Sequence, residues 1–211
     1  MMLGPAIAPF QPTDLPPPAR PLPFFGWALR GAWAGVLWAT FWSAVAGSLE
    51  AVSAVILGHV IDAATGTPSQ VFEQHWQLFA IFAAFYLIVR PIVFGINTSA
   101  LSLIIEPNLF PLILSRLHRW TLGHSVTFFD NDFAGRIAQK QMQTARAATD
   151  VVSGTIETAA FALASVVGTV ALMVAIDGAV SLVLLAWVVA YGLFIRYYLR
   201  RVRGASAMRA S

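Results

Sequence analysis

Four long apolar stretches, separated by polar breaks, set the pattern of the chain. The first runs from about residue 33 to 61, and Gly31 to Leu49 carries no charged side chain. The second runs from about 78 to 105 and is interrupted at Arg90-Pro91, where a kink is expected. The third and fourth, about 157–176 and 178–197, are separated only by Asp177-Gly178, which predicts a tight turn between antiparallel neighbours. A bilayer crossing needs ~20 apolar residues, so each stretch is of spanning length. The runs are continuous rather than alternating, which predicts helices and not barrel strands. The expected fold class is therefore all-α integral membrane: about four long transmembrane helices with a helical extension outside the bilayer.

That extension is the loop of about 106–150, the one long polar segment between spans. It bends at Pro107 and Pro111, turns over at Phe128-Phe129 and returns as a small-residue helix. With ~15 residues of helix on either side, the turn would stand ~20 Å or more from the bilayer. Residues 1–23 contain Pro5, Pro9, Pro12, Pro16, Pro17, Pro18, Pro21 and Pro23. Such a segment is expected to be a disordered, partly polyproline-II tail that serves as a spacer. Leu22 to Trp33 then sets aromatics beside Arg30, as suits a short helix in the headgroup layer. Within the first span Ser43, Gly47 and Ala51 recur every four residues, with Ala54 and Gly58 beyond them. A stripe of small residues predicts close approach by another helix.

Composition agrees with the pattern. Of 211 residues 58% are hydrophobic and 11% charged, and the mean hydropathy is +0.72. A net charge of +3 and a pI near 9.8 do not point to nucleic acid, because the basic residues sit at span ends rather than on one interleaved face. The loops near Asp62 to Gln77 and at Asp177 have no Lys or Arg. The polar loop has Arg116, Arg119, Arg136, Lys140 and Arg146, and the C-terminal segment has Arg196, Arg200, Arg201, Arg203 and Arg209. That asymmetry predicts a cytoplasmic polar loop and cytoplasmic termini. The absence of cysteine excludes disulfides and thiolate metal sites, and no cleavable signal peptide is expected.

Candidate chemistry is sparse. No G-x-x-x-x-G-K-[ST] loop occurs, Lys140 follows no glycine-rich turn, and His59, His75, His118 and His124 fit no metal-ligand spacing. The chain by itself is expected to have no catalytic residues, no metal site and no bound cofactor. Glu50 and Arg90, one in each of the first two spans, carry more information. Counted inward from the outer loop they lie ~12 and ~13 residues deep, roughly 18 to 20 Å, so antiparallel helices bring them level. Charges at that depth face protein or water. The two readings are an ion pair that neutralises both, or a polar lining to a substrate path. At Phe128-Phe129 the readings are an anchor on the membrane surface or a ball that fits a groove on a soluble partner, and the protruding position favours the ball.

From Ala54 to Gly66 (AVILGHVIDAATG) and from Arg116 to Ile137 (RLHRWTLGHSVTFFDNDFAGRI) the chain resembles the N-terminal half of the transmembrane domain of an ATP-binding-cassette (ABC) exporter, of the bacterial homodimeric multidrug and lipid type. The second segment is similar to that family's first intracellular loop, with Phe128-Phe129 followed by Gly135 and Ile137. The resemblance covers nearly everything in 24–211. It departs where the family carries an Arg and then an Asp after the glycine; here Lys140 and Gln143-Thr144 stand, and Asp150 comes too late. The resemblance implies a partial type-1 transmembrane domain that forms part of a substrate pathway. Ser125, Val126, Thr127, Phe128, Phe129, Asp130 and Gly135 would dock a nucleotide-binding domain absent from this chain, and that domain would carry ATP and Mg. The implied setting is the bacterial cytoplasmic (inner) membrane, multi-pass, as a homodimer or heterodimer. Such exporters have six helices before the nucleotide-binding domain, so the chain is expected to be a fragment, a truncated gene product or one piece of a split transporter. The alternative is a non-transporting four-span scaffold or sensor that binds a soluble partner through its tip; a self-sufficient channel has too little polar lining.

Overall fold

The computed structural model describes residues 4–13, 15–64, 68–125, 134–176 and 178–209, with the side chains of 68–74, 134 and 199–209 excepted. The described residues are helical wherever they are regular. In order they form α1 (Pro21–Ala28), α2 (Trp33–Ala64), α3 (Pro68–Ala84), α4 (Arg90–Ser99), α5 (Glu106–Leu122), α6 (Ala134–Gly154), α7 (Phe161–Ile176) and α8 (Gly178–Arg209). Widened π turns at Phe85–Val89, Ala100–Ile105 and Thr155–Ala160 join α3 to α4, α4 to α5 and α6 to α7. Four helices are long and apolar enough to cross a membrane: Trp33–Ala64, His75–Leu122, Gly135–Ile176 and Gly178–Tyr198. The protein is thus an all-helical, multi-pass membrane protein.

The π turns have local causes. Pro91 and Pro107 lack an N–H and would push their rings into the carbonyls four residues earlier. Each is preceded by a π turn, so a wider turn takes up the kink that the sequence predicts. At the second, Pro107 cannot donate to Leu103, and the Asn108 side-chain amide donates instead to the carbonyls of Leu103 at 3.3 Å and Ile104 at 3.0 Å. His75 departs from helical geometry inside α3, a few residues before the apolar stretch that begins at about 78.

The chain divides into two compact units, Met1–Ser165 and Val166–Ser211. In the first, α2 packs against α3, α4 and the π turns at 100–105 and 155–160, while α5 and α6 pack along one another. The core lies where these meet. Ile105, Leu109, Leu112 and Ile113 are fully enclosed, together with Ala145, Ala148, Val152 and Ile156 from the other side. In the second unit the remainder of α7 and then α8 expose long apolar side chains all round, among them Val174, Leu182, Val183, Trp187 and Leu193. That is the pattern of a helix solvated by lipid or by other apolar helices. The turn expected at Asp177-Gly178 involves Asp177, which lies outside the described residues.

One expectation is corrected. The described part of the proline-rich tail is not a free spacer but a strap laid on the core. Ile7 is buried, Gly4 has no room for a side chain beside Trp38 and Ile104, and the carbonyls of Pro9, Gln11 and Leu15 accept hydrogen bonds from Ser115, Arg116 and Trp27. A proline-rich segment cannot pair its backbone with itself, so its carbonyls are free for side-chain donors. The strap leads into α1, whose first turn starts on Pro21 and which ends at Ala28, and a left-handed Gly31 (φ 83°) lies in the turn between α1 and α2. The positive φ strains any residue but glycine at Gly31, and the amide end of the Gln11 side chain lies against it.

Candidate functional site

Glu50 on α2 and Arg90 at the start of α4 meet. The Arg90 Nη2 donates to Glu50 Oε1 at 2.8 Å, and Nη1 donates to Ser53 Oγ at 3.0 Å. Ser53 Oγ in turn donates to the Leu49 carbonyl at 2.8 Å, which fixes the hydroxyl as an acceptor towards Arg90. The guanidinium lies 5.7 Å from the Tyr86 ring centre and 5.3 Å from that of Phe94, the side chains four residues before and after it. Carboxylate, hydroxyl and two aromatic faces thus hold one cation. The Arg90 and Glu50 side chains remain 32% and 35% exposed, so the centre is neutral but not sealed. Charged groups at bilayer depth face protein or water rather than hydrocarbon, and this opening marks the side on which such a face must lie.

Close approach occurs along part of the small-residue stripe. Ser43 and Ala51 are buried, and a Cβ on Gly47 would collide with the backbone carbonyl of Phe161. Ser43 Oγ donates to the Ile156 carbonyl at 2.7 Å inside the third π turn, where the helical ladder is loosened. Ala54 is exposed and a Cβ on Gly58 would meet nothing, so the crossing ends at Ala51.

Below this crossing α5 and α6 form a two-helix strut that carries the polar turn. Leu109, Leu112, Ile113 and Leu117 of α5 are buried on a face shared with Ala145, Ala148 and Val152 of α6. Near the far end Gln141 Nε2 donates to Thr121 Oγ1 at 2.6 Å, and Thr121 Oγ1 donates to the Leu117 carbonyl at 2.9 Å. The helices are therefore clamped within a few residues of where α5 stops, at Gly123. Ser125 is exposed just past that end, and Gly135 is exposed in the first turn of α6 with open space around its Cα. Val126, Thr127, Phe128, Phe129 and Asp130 lie outside the described residues.

Arg116 is the functional-looking residue that sequence reasoning missed, having counted it only towards topology. It is 2% exposed, and its guanidinium donates to the carbonyls of Gln11 (Nε, 3.1 Å), Trp27 and Ala28 (Nη1, both 3.0 Å) and Arg30 (Nη2, 2.7 Å). It ties the strap and the carbonyl end of α1 to α5. A signal was present: Leu109, Leu112, Ile113, Arg116 and Leu117 fall at i, i+3, i+4, i+7 and i+8, which puts Arg116 on the buried face of α5.

No group of three or more His, Asp or Glu placed to hold a metal occurs among the described residues. The transmembrane-region family of ABC transporters matches residues 36–210. Over 152 residues, 71% of this chain, the sequence is 33% identical to a protein of Haemophilus influenzae named as an uncharacterized ABC transporter ATP-binding protein. The chain spans 24% of that relative's length. No solved structure matches it.

Proposed function

The chain belongs to the ABC transporter transmembrane region family, and from that premise we propose that it forms part of the substrate pathway of an ATP-driven exporter and passes movement from a nucleotide-binding domain to the membrane helices. The observation that carries this reading is the strut. Two helices packed along their length and clamped at Thr121–Gln141 carry the segment 124–135 at their end. A load on that segment travels down α5 and α6 without bending them, because both are buried on their shared face. At the other end α6 continues through the third π turn, which Ser43 and the Gly47 groove fix to α2. The load therefore reaches the helix that bears Glu50, and through it Arg90 on α4.

The nucleotide-binding domain lies in the remainder of the full-length protein or in a separate subunit, and it would carry ATP and Mg; the name of the Haemophilus influenzae relative includes ATP binding. The assembly is a homodimer or heterodimer in a bacterial inner membrane, with the strut cytoplasmic. In this proposal Ser125 to Asp130 and Gly135 form the docking face, and the Phe128-Phe129 pair fills a groove on the nucleotide-binding domain. The test is Phe128→Ala together with Phe129→Ala in the complete transporter. Those changes remove about 3 to 6 kcal/mol of potential apolar contact, at ~1.5 to 3 per side chain. The double variant is expected to insert and bind nucleotide normally while hydrolysis no longer drives transport. Unchanged transport with intact coupling, accompanied by easier proteolysis between Arg116 and Arg146, would assign the pair to anchoring the loop on the membrane and end the docking proposal.

A further inference from the structure

Where α5 and α6 leave the apolar stretches, a cavity of about 260 Å³ opens between them. Its walls are Glu106 and Phe110 of α5 and Arg146, Thr149, Asp150 and Ser153 of α6. The first two are about one helical turn apart, and the other four fall at i, i+3, i+4 and i+7, so each helix offers the cavity a single face. Both signs of charge meet there. Arg146 and Asp150 stand at the i, i+4 spacing where an arginine and a carboxylate can bridge, yet they form no ion pair with each other or with Glu106. Ser153 adds an independent observation. It is 8% exposed, and its Oγ has no hydrogen-bond partner among the described residues. Thr149, one turn earlier, donates its hydroxyl to the Ala145 carbonyl at 2.9 Å, a bond to the helix backbone that Ser153 does not make. A buried hydroxyl without a partner is destabilising, and this one belongs to the wall of a polar cavity.

Unbridged charges of both signs and an unpaired hydroxyl, all in one small cavity, fit a ligand that itself carries both charges. An ammonium group answers Glu106 and Asp150, and an anionic oxygen answers Arg146 and accepts the Ser153 proton. A primary ammonium fits best, because it has three N–H donors for two carboxylates. A quaternary amine has none and is met by a cage of aromatic rings, whereas Phe110 is the one aromatic in this wall. Depth selects the source. Glu106 directly follows the apolar stretch that ends at about 105, and Asp150 and Ser153 precede the one that begins at about 157 by ~6 to 10 Å of helix. That is the level of the headgroup layer, which adds ~5 to 8 Å to each side of the hydrocarbon. We propose that this cavity binds the headgroup of a phosphatidylethanolamine-type lipid, with its ammonium on Glu106 and Asp150 and its phosphate on Arg146 and Ser153. The bound lipid ties the membrane end of the strut to the bilayer surface. The site depends on where the spans end and not on the transport reading.

The complete membrane protein in neutral detergent is titrated with phosphatidylethanolamine, phosphatidylcholine, phosphatidylglycerol, soluble phosphoethanolamine or magnesium chloride. Bound lipid is counted by native mass spectrometry alongside the thermal midpoint. Phosphatidylethanolamine should be retained in preference to phosphatidylcholine, which has no N–H donors, and to phosphatidylglycerol, which has no cation. Asp150→Asn and Arg146→Gln should each weaken that retention about tenfold and leave the lipid-free midpoint unchanged, which separates binding from folding. Ser153→Ala should weaken retention while the lipid-free midpoint stays level or rises, because the hydroxyl removed is a buried one without a partner. A midpoint lowered by Ser153→Ala would show that hydroxyl already satisfied within the chain and would overturn the site. So would the absence of any lipid preference, or a preference that survives both Asp150→Asn and Arg146→Gln. Stabilisation by soluble phosphoethanolamine with no further effect of the lipid would overturn the lipid as the source. Stabilisation by magnesium alone, lost in Glu106→Gln and kept in Arg146→Gln, would give the cavity to a metal cation and overturn the zwitterion.

Discussion

At the residue scale two arginines are removed from water in different ways. Arg90 has a carboxylate, a hydroxyl and two aromatic faces, whereas among the described residues Arg116 has only carbonyls as partners. The difference gives each a distinct response to mutation. Glu50→Gln strips Arg90 of its counter-charge and is expected to destabilise by about 1 to 3 kcal/mol, below the figure for a sealed pair because a third of each side chain is exposed. Adding Arg90→Met should recover much of that loss, since no unpaired charge remains. Thermal unfolding of the two single variants and the double variant measures the coupling; additive losses would separate the residues functionally despite their contact. Gly47→Ala is expected to cost about 1 to 3 kcal/mol, because its new methyl meets the rigid Phe161 backbone. Gly58→Ala, about three helical turns further along α2, meets nothing and should be neutral or slightly stabilising. Equal midpoints for the two would refute the crossing at Gly47.

At the element scale the strut behaves as one body because its core and its clamp lie on the same face. Leu112 is fully enclosed between α5 and its neighbours, so Leu112→Ala should cost about 2 to 5 kcal/mol. Thr121→Val keeps the shape and removes the acceptor for Gln141, and about 0.5 to 1.5 kcal/mol should be lost, confined to the far end of the strut. Limited proteolysis distinguishes the two. Leu112→Ala should expose sites along α5 and α6 alike, whereas Thr121→Val should quicken cleavage only between Thr121 and Gln141. If Thr121→Val exposed the whole strut, the clamp would be part of the core and not a separate end tie. The periodicity of α5 was legible from its sequence. The partner of each buried position was not, because helical spacing defines a face without saying what covers it.

At the scale of the whole molecule, the loop charges and the four spanning helices together predict the side on which each polar segment lies. A reporter fused after Ala64 should be accessible from outside the cell and one at Arg146 from inside. The reverse labelling would overturn the topology and, with it, the placement of the strut beside a nucleotide-binding domain. The purified 211-residue chain is also expected to hydrolyse no ATP, since its sequence holds no phosphate-binding loop. Sustained hydrolysis that scales with the purified chain would contradict that.

The sequence by itself determined the class of the protein and set Glu50 level with Arg90, leaving open whether the two pair or line a path. The bilayer is the reason. A fixed hydrocarbon thickness converts distance along the chain into depth, so two charges equally far from one loop lie level before any packing is known. Glycine spacing on α2 likewise announced a close approach, because only a missing side chain lets a backbone come so near. Tertiary structure alone decided what made the approach, where it stopped, and what the proline-rich segment does. Ser43 meets a carbonyl 113 residues away, and Arg116 meets carbonyls 86 to 105 residues away. Backbone acceptors carry no residue identity, and a proline-rich strap has no period. Such contacts leave no pattern in the sequence and exist only once the helices have brought those carbonyls into place.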